Sequence, residues 1–262
     1  MPDEASILAA VRAAAARHGL NLCAALPLAR YDDAVAPAAR ASLIDPAARS
    51  IVVLGNGGGA FWAAFKRHAA RNPGWWEREN PLDDFTREVV AREVVAPLRE
   101  AALHHTIVHP FMDGGPTLNF VELGKAAGIA GPSILGVVVH PVFGPWIAFR
   151  AALLLDVAPD VLIDAPGEAF GFDPCPGCVP RSCIAACPAG AVSFPAGWDV
   201  PKCLTHRVEV EPDCAGRCHA RVGCVLGPEH RYADDELAYH QMRALRAMRP
   251  YYETHIKPKL RG

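Results

Sequence analysis

The chain has 262 residues, 51% of them hydrophobic and 21% charged, with a formal net charge of −2. Such a chain can bury a sizeable core, and neither its charge balance nor any Lys/Arg run suits a nucleic-acid or anionic-membrane surface. It opens on the acidic Met1-Pro-Asp-Glu4 instead of a basic export signal, and no 18 apolar residues run uninterrupted, so a cytoplasmic protein without membrane spans is expected.

An amphipathic helix is predicted over 5–18, with Ile7, Val11 and Ala14 on one stripe. The Ala/Pro-rich stretch from there to Ala48 reads as irregular. Ser50–Leu54 has the β-branched run of a buried strand, stopped by Gly55-Asn-Gly-Gly-Gly59; a helix follows over 60–71, broken by Asn72-Pro73-Gly74. The glycine cluster fits Gly-x-Gly-x-x-Gly/Ala, but no acidic residue ends a second strand about 20 residues on, so it reads as a turn near a ligand, not a dinucleotide site. Trp75 and Trp76 either pack or cap a pocket. Asn80-Pro81 starts a helix predicted over 82–103 with Pro97 as a kink. A strand at 106–109, a helix at 118–127, and a hairpin of Gly136–His140 with Trp146–Asp156 come next; a helix over Tyr232–Met248 closes the chain.

From Asp173 the composition shifts to Cys, Pro and Gly, and eight of the nine cysteines lie between 175 and 224. Cys175, Cys178, Cys183 and Cys187 are separated by two, four and three residues, and Pro188 follows the last. Two-cluster ferredoxins use gaps of two, two and three before Cys-Pro, and the fourth cysteine serves the other cluster. By that analogy Cys175, Cys178 and Cys183 with Cys224 hold one 4Fe–4S cluster, and Cys187, Cys203, Cys214 and Cys218 hold the second. Structural zinc on the same thiolates is the main alternative, although zinc ribbons favour paired Cys-x-x-Cys knuckles. A disulfide scaffold would need an exported chain. Cys23, alone in an apolar segment, reads as core.

Ile134 to Arg150, carrying His140-Pro141, Phe143-Gly144, Trp146 and Arg150, closely resembles the signature of the cobalamin-processing CblC family; Leu54–Phe65, Asn80–Val90 and Tyr232–Ala247 are looser matches. Joined to the cysteine-rich segment, the same region is similar to the epoxyqueuosine reductases and reductive dehalogenases, in which a corrinoid domain precedes a two-cluster ferredoxin module. Asp113-Gly-Gly-Pro116 resembles the Asp-x-x-Pro turn that carries the proton donor of the epoxyqueuosine reductases, and Cys187-Pro-Ala-Gly-Ala-Val192 resembles their Cys-Pro-Thr-Gly-Ala-Ile. Their Gly-Leu-Gly-Trp-Ile-Gly-Lys-Asn stretch is here Gly128-Ile-Ala-Gly-Pro-Ser-Ile-Leu135, and Asn119 stands where an acidic residue is expected. These departures count against an epoxyqueuosine substrate and part of the corrinoid contact.

The resemblance implies an α+β, nitroreductase-like corrinoid-binding core over 1–172, a ferredoxin-like 4Fe–4S module over 173–228 and a helix over 229–262 packing back on the core. It implies that His140, Pro141, Phe143, Gly144 and Trp146 lie against the corrinoid with no protein ligand to cobalt. Arg150 would serve the ligand side of the pocket; the alternative for this guanidinium in an apolar strand is an ion pair with Asp156 or Asp164. Asp113 would be a general acid, or else simply an Asx-turn residue. The expected function is an oxidoreductase in which two 4Fe–4S clusters pass electrons to cobalamin, which is reduced or processed, from an external ferredoxin, flavodoxin or flavin reductase. The alternatives are a cobalamin-dependent reductase of an organic substrate, which alone would bring in a nucleic acid, and an electron carrier that binds no corrinoid.

Overall fold

Eight successive residues, Ser50–Gly57, are buried, which requires cover on both faces of the sheet they enter. The computed structural model describes residues 4–111, 117–158, 171–210 and 213–260. It divides into two compact units: Met1–Gly131 with Ile147–Gly171, and Pro132–Trp146 with Phe172–Gly262.

The first unit is built on a four-stranded antiparallel sheet in the order β1-β2-β4-β3, formed by Leu22–Pro27, Ser50–Gly57, His105–Val108 and Ile147–Leu155 as β1 to β4. Alternation along the strands gives each face its own cover. Ile51, Val53, Ala152 and Leu154 pack with Leu28 and Tyr31 of α2 (Leu28–Ala34) and with Phe120 and Leu123 of α6 (Phe120–Ala126). Val52, Leu153 and Leu155 meet Ile7, Leu8 and Val11 of α1 (Glu4–Arg17) and Leu98 of α5 (Ala96–Glu100). Tyr31 joins α2 to α6, its hydroxyl donating to the Ala39 carbonyl and accepting the Asn119 N–H at 2.8 Å. Asn119 in turn caps α6 by accepting from the N–H groups of Val121 and Glu122, work that an amide oxygen does well at this position.

Three expectations are corrected. The stretch read as irregular contains β1 and α2. The helix expected over 82–103 is divided into α4 (Pro81–Val89), a π-helical turn at Val90–Val94, and α5. Pro97, lacking an N–H, sits in the first turn of α5 and not at a kink. The expected hairpin is absent: Ile147–Leu155 pairs with β2 and β3, and 136–140 contains no strand beyond an isolated bridge of His140 with Gly144. The helix at 60–71 is found as α3 (Ala60–Arg71), and Trp75 packs, its indole N–H donating to the Pro81 carbonyl. Trp76 lies edge-on to Trp62 and Phe65.

The second unit uses short pieces: α7 (Ser182–Ala185), the two-residue strands β5 (Val192–Ser193) and β6 (Gly197–Trp198), α8 (Val200–Thr205), α9 (Asp213–Gly216) and α10 (His219–Val222). The long α11 (Asp234–Tyr251) packs on α9 and α8 within this unit, as do Leu245 and Tyr252 on Leu204. By contacts, the closing helix and residues 132–146 therefore belong with the cysteine-rich segment, a different division from the boundaries drawn at 172/173 and 228/229. Glycines explain the intimacy. A Cβ on Gly144 (φ +58°) would lie 2.2 Å from the Leu226 carbonyl oxygen, and one on Gly227 (φ +54°) 2.5 Å from the Phe143 carbonyl carbon.

Candidate functional site

None of the eight clustered cysteines is joined in a disulfide, and they line two cavities in the second unit. The first, of about 350 Å³, is lined by Cys175, Cys178, Cys183 and Cys224 together with Ile134, Val139 and Val179. The second, of about 170 Å³, is lined by Cys187, Cys203, Cys214 and Cys218. Each cavity brings together the four cysteines of one of the two groups drawn by analogy with two-cluster ferredoxins. Among the described residues no three His, Cys, Asp or Glu side chains meet closely enough for a single metal ion, so the thiols surround a space instead of converging on a point.

Local chain chemistry builds each wall. Cys175 and Cys178 share a turn closed by the Cys178 N–H on the Cys175 carbonyl. The two extra residues before Cys183 form an outward loop: Val179 is 92% exposed, and Arg181 takes a left-handed φ of +44° with its guanidinium 4.1 Å from the Phe194 ring centre. After Cys187, Gly190 closes a turn with its N–H on the Cys187 carbonyl, while the Ala191 N–H points at Cys187 Sγ at 3.4 Å. Asp199 caps α8 through the Lys202 N–H and so presents Cys203.

Burial pushes the Cys183 thiol up, and the neighbouring Cys224, Cys175 and Cys178 add to it, against a hydrogen bond from the Ile184 N–H. Burial likewise raises Cys224 against the Leu226 and Val225 N–H groups. Cys203 is raised by burial, opposed by the Trp198 indole N–H and by the charge of Arg207. Thiols that favour the neutral form when empty, surrounded by N–H donors, suit a site whose anionic state is set by something bound.

The six residues expected at a corrinoid are distributed over both units. His140 is buried and its Nδ1 accepts the N–H groups of Val142 and Phe143 at 3.0 and 3.3 Å, closing the 140–144 turn. Pro141 and Phe143 are half-buried on that turn, and Phe143 packs 4.6 Å from the His230 ring. Trp146 is fully buried beneath Tyr232 and Arg221, and its indole N–H has no hydrogen-bond partner among the described residues. It packs in a core cluster with Leu237 and Tyr232.

Arg150 lies in the first unit. β2 pairs Leu54 with Ala151 and Gly55 with Phe149, which leaves Arg150 as the extra residue of a β-bulge. The bulge turns its side chain so that Nε donates to Asn56 Oδ1 at 2.8 Å, with the guanidinium 4.9 Å from the Phe61 ring. Asn56 was not singled out in the sequence, although a lone amide in a buried strand was the available signal. Asp156 is exposed. Asp113 and Asp164 lie outside the described residues. Cys23 is half-buried, and loss of solvation carries its thiol up to about 11 despite the nearby Arg12.

No family model and no curated protein sequence matches the chain. Its fold is similar to that of the B12-trafficking protein CblC from C. elegans, a homologue of human MMACHC, with a TM-score of 0.60 at 14% identity over 95% of this chain and 97% of that one. The chain has a CblC-like fold. Epoxyqueuosine reductase from Bacillus subtilis is also similar (TM-score 0.51, 13% identity, 86% of this chain and 66% of that one), as is the catabolic reductive dehalogenase NpRdhA (TM-score 0.51, 16% identity, 90% and 34%). The families that the sequence resembles are thus the ones whose structures share the CblC-like fold. No helix among the described residues is long and apolar enough to cross a membrane.

Proposed function

We propose that the chain is an iron–sulfur redox protein that binds a corrinoid and reduces or processes it. The observation that carries this reading is the sorting of eight thiols into two four-cysteine cavities. Four thiols around a space suit a polynuclear inorganic core, whereas zinc needs four ligands about 2.3 Å from one point. Cys175, Cys178, Cys183 and Cys224 would hold one 4Fe–4S cluster and Cys187, Cys203, Cys214 and Cys218 the other; when bound, such clusters supply single electrons over a wide range of potentials. The remaining chemistry asked of the chain is binding and orientation.

The likeness to a B12-trafficking protein supports a corrinoid as ligand. His140, Pro141, Phe143, Gly144 and Trp146 would act mostly by fixing the backbone of one turn, and Arg150 would present a fixed cation on its bulge. An external one-electron donor completes the scheme. The likeness to a reductase and a dehalogenase keeps a second reading open, in which the corrinoid serves as cofactor for an organic substrate and Asp113 as acid.

Anaerobic loading with iron and sulfide tests the clusters: about eight iron atoms per chain are expected, with brown absorption that bleaches on reduction. Titration with hydroxocobalamin should then give a spectral change and co-elution, weakened by Arg150→Ala. A colourless, zinc-filled chain would sink the cluster reading. Cluster-loaded chain that leaves hydroxocobalamin unchanged would leave only the electron carrier.

A further inference from the structure

The two cavities are electrically unlike. We infer that the cluster held by Cys187, Cys203, Cys214 and Cys218 has the higher reduction potential of the two, and that Arg207 sets the difference. The inference rests on the two-cluster reading and adds a direction to it.

Among the described residues the second cavity is lined by His206, Arg207, Arg217, His219 and Arg221, of which Arg217 pairs with Asp234 at 3.4 Å, whereas the first has Arg181, and neither lining includes a carboxylate. Arg181 is turned onto Phe194. Arg207 is buried, and its guanidinium donates to two carbonyl oxygens, of Cys214 at 3.0 Å and Gln241 at 2.8 Å. It has no carboxylate partner among the described residues. A buried guanidinium without a counter-charge is costly, so its position beside Cys203 and Cys214 calls for an anion in the space they enclose. Thiolates around an iron–sulfur core provide it.

Trp198 adds a directed donor. Its indole N–H acts on the Cys203 thiol against burial, and the ring is held over Gly136, where any side chain would overlap it. With the Ala191 N–H on Cys187 the second cavity has N–H donors to sulfur, as the first has in the N–H groups of Ile184, Leu226 and Val225; the captive cation is what the second adds. Donors and cation alike stabilise the more negative, reduced state over the oxidised one, and cluster potentials follow net charge and hydrogen bonds to sulfur. The couple is one electron per cluster, delivered from outside, with no bond made or broken in the chain. An electron shared between the two sites therefore rests on the second.

The test is a dithionite titration of the loaded full chain with mediators, followed by electron paramagnetic resonance after iron and sulfide have been counted. Cys183→Ser and Cys203→Ser, which alter one ligand set each, assign the two waves. The wave tied to Cys203 is expected at the less negative potential. Arg207→Gln should move that wave alone to more negative potential, Arg207→Lys should keep most of the gap, and Trp198→Phe should move it the same way without a change of charge. If Arg207→Gln fails to retain iron, the order of the two waves in the unaltered chain, together with the Arg207→Lys shift, decides. Two clusters with the waves in the reverse order, or moved together by these variants, overturn the inference and leave the two-cluster reading standing. A chain that takes up no iron overturns that reading, and the inference with it.

Discussion

Arg150 and Asn56 illustrate how a single buried cation constrains a sheet. A guanidinium on the most apolar strand of the chain is held by an amide oxygen from the adjacent strand and by the face of Phe61. The bulge that aims it exists because β2 and β4 change register between Leu54 and Gly55. Asn56→Ala removes an acceptor from a buried charge, which costs about 2 kcal/mol, or roughly a thirtyfold faster exchange of the β2 and β4 amides. Hydrogen exchange followed by mass spectrometry reads this directly. Unchanged protection in both strands would mean that the pair contributes nothing to holding the sheet. The sequence marked Arg150 as needing a partner and offered Asp156 or Asp164; Asp156 is exposed, and Asp164 lies outside the described residues. The amide that answers it hides inside a glycine cluster, where composition suggests only a turn.

At the scale of elements, the crossing of the 140–144 turn with the 226–227 turn positions Cys224, the one ligand that reaches its cavity from far along the chain. Gly144→Ala places a methyl group against the Leu226 carbonyl in a backbone conformation that already costs an alanine about 1 kcal/mol. The expected result is a drop in bound iron from about eight toward four per chain, with the Cys187 cavity still filled. Gly197→Ala is the comparison: it has the same left-handed penalty (φ +82°) but open space around it, and should keep its iron. Equal losses in both variants would point to general destabilisation and not to the crossing. The cysteine grouping comes from the analogy with two-cluster ferredoxins, in which the cysteine before proline serves the other cluster; gap lengths alone would keep Cys187 with Cys183 and leave Cys224 unassigned. The 136–140 strand was misread because three consecutive valines carry the propensity of a strand, yet they serve a turn braced on His140. The strand at Leu22–Pro27 went unseen for the opposite reason, since Ala24 and Ala25 carry little β propensity and only pairing with β2 makes them one.

Over the whole chain, the two units draw stability from different sources. The first has a continuous core on both faces of a four-stranded sheet, with Ile51, Val52, Val53 and Leu54 fully buried. The second has four helices of four to six residues and two strands of two, and its cluster of Ile134, Cys183, Val192 and Ala220 is packed against the cysteines themselves. Helices that short are not stable on their own, and a core made partly of ligands depends on what the ligands bind. Binding to the folded state alone stabilises it by mass action, so stripping iron should loosen this unit selectively. Hydrogen exchange on the loaded full chain, before and after anaerobic removal of iron by a chelator, is expected to show protection lost across 175–224. The β2 and β4 amides should keep theirs. Uniform loss in both units would mean that they fold as one cooperative body, and loss in neither would mean that the thiol cavities are preformed without their contents.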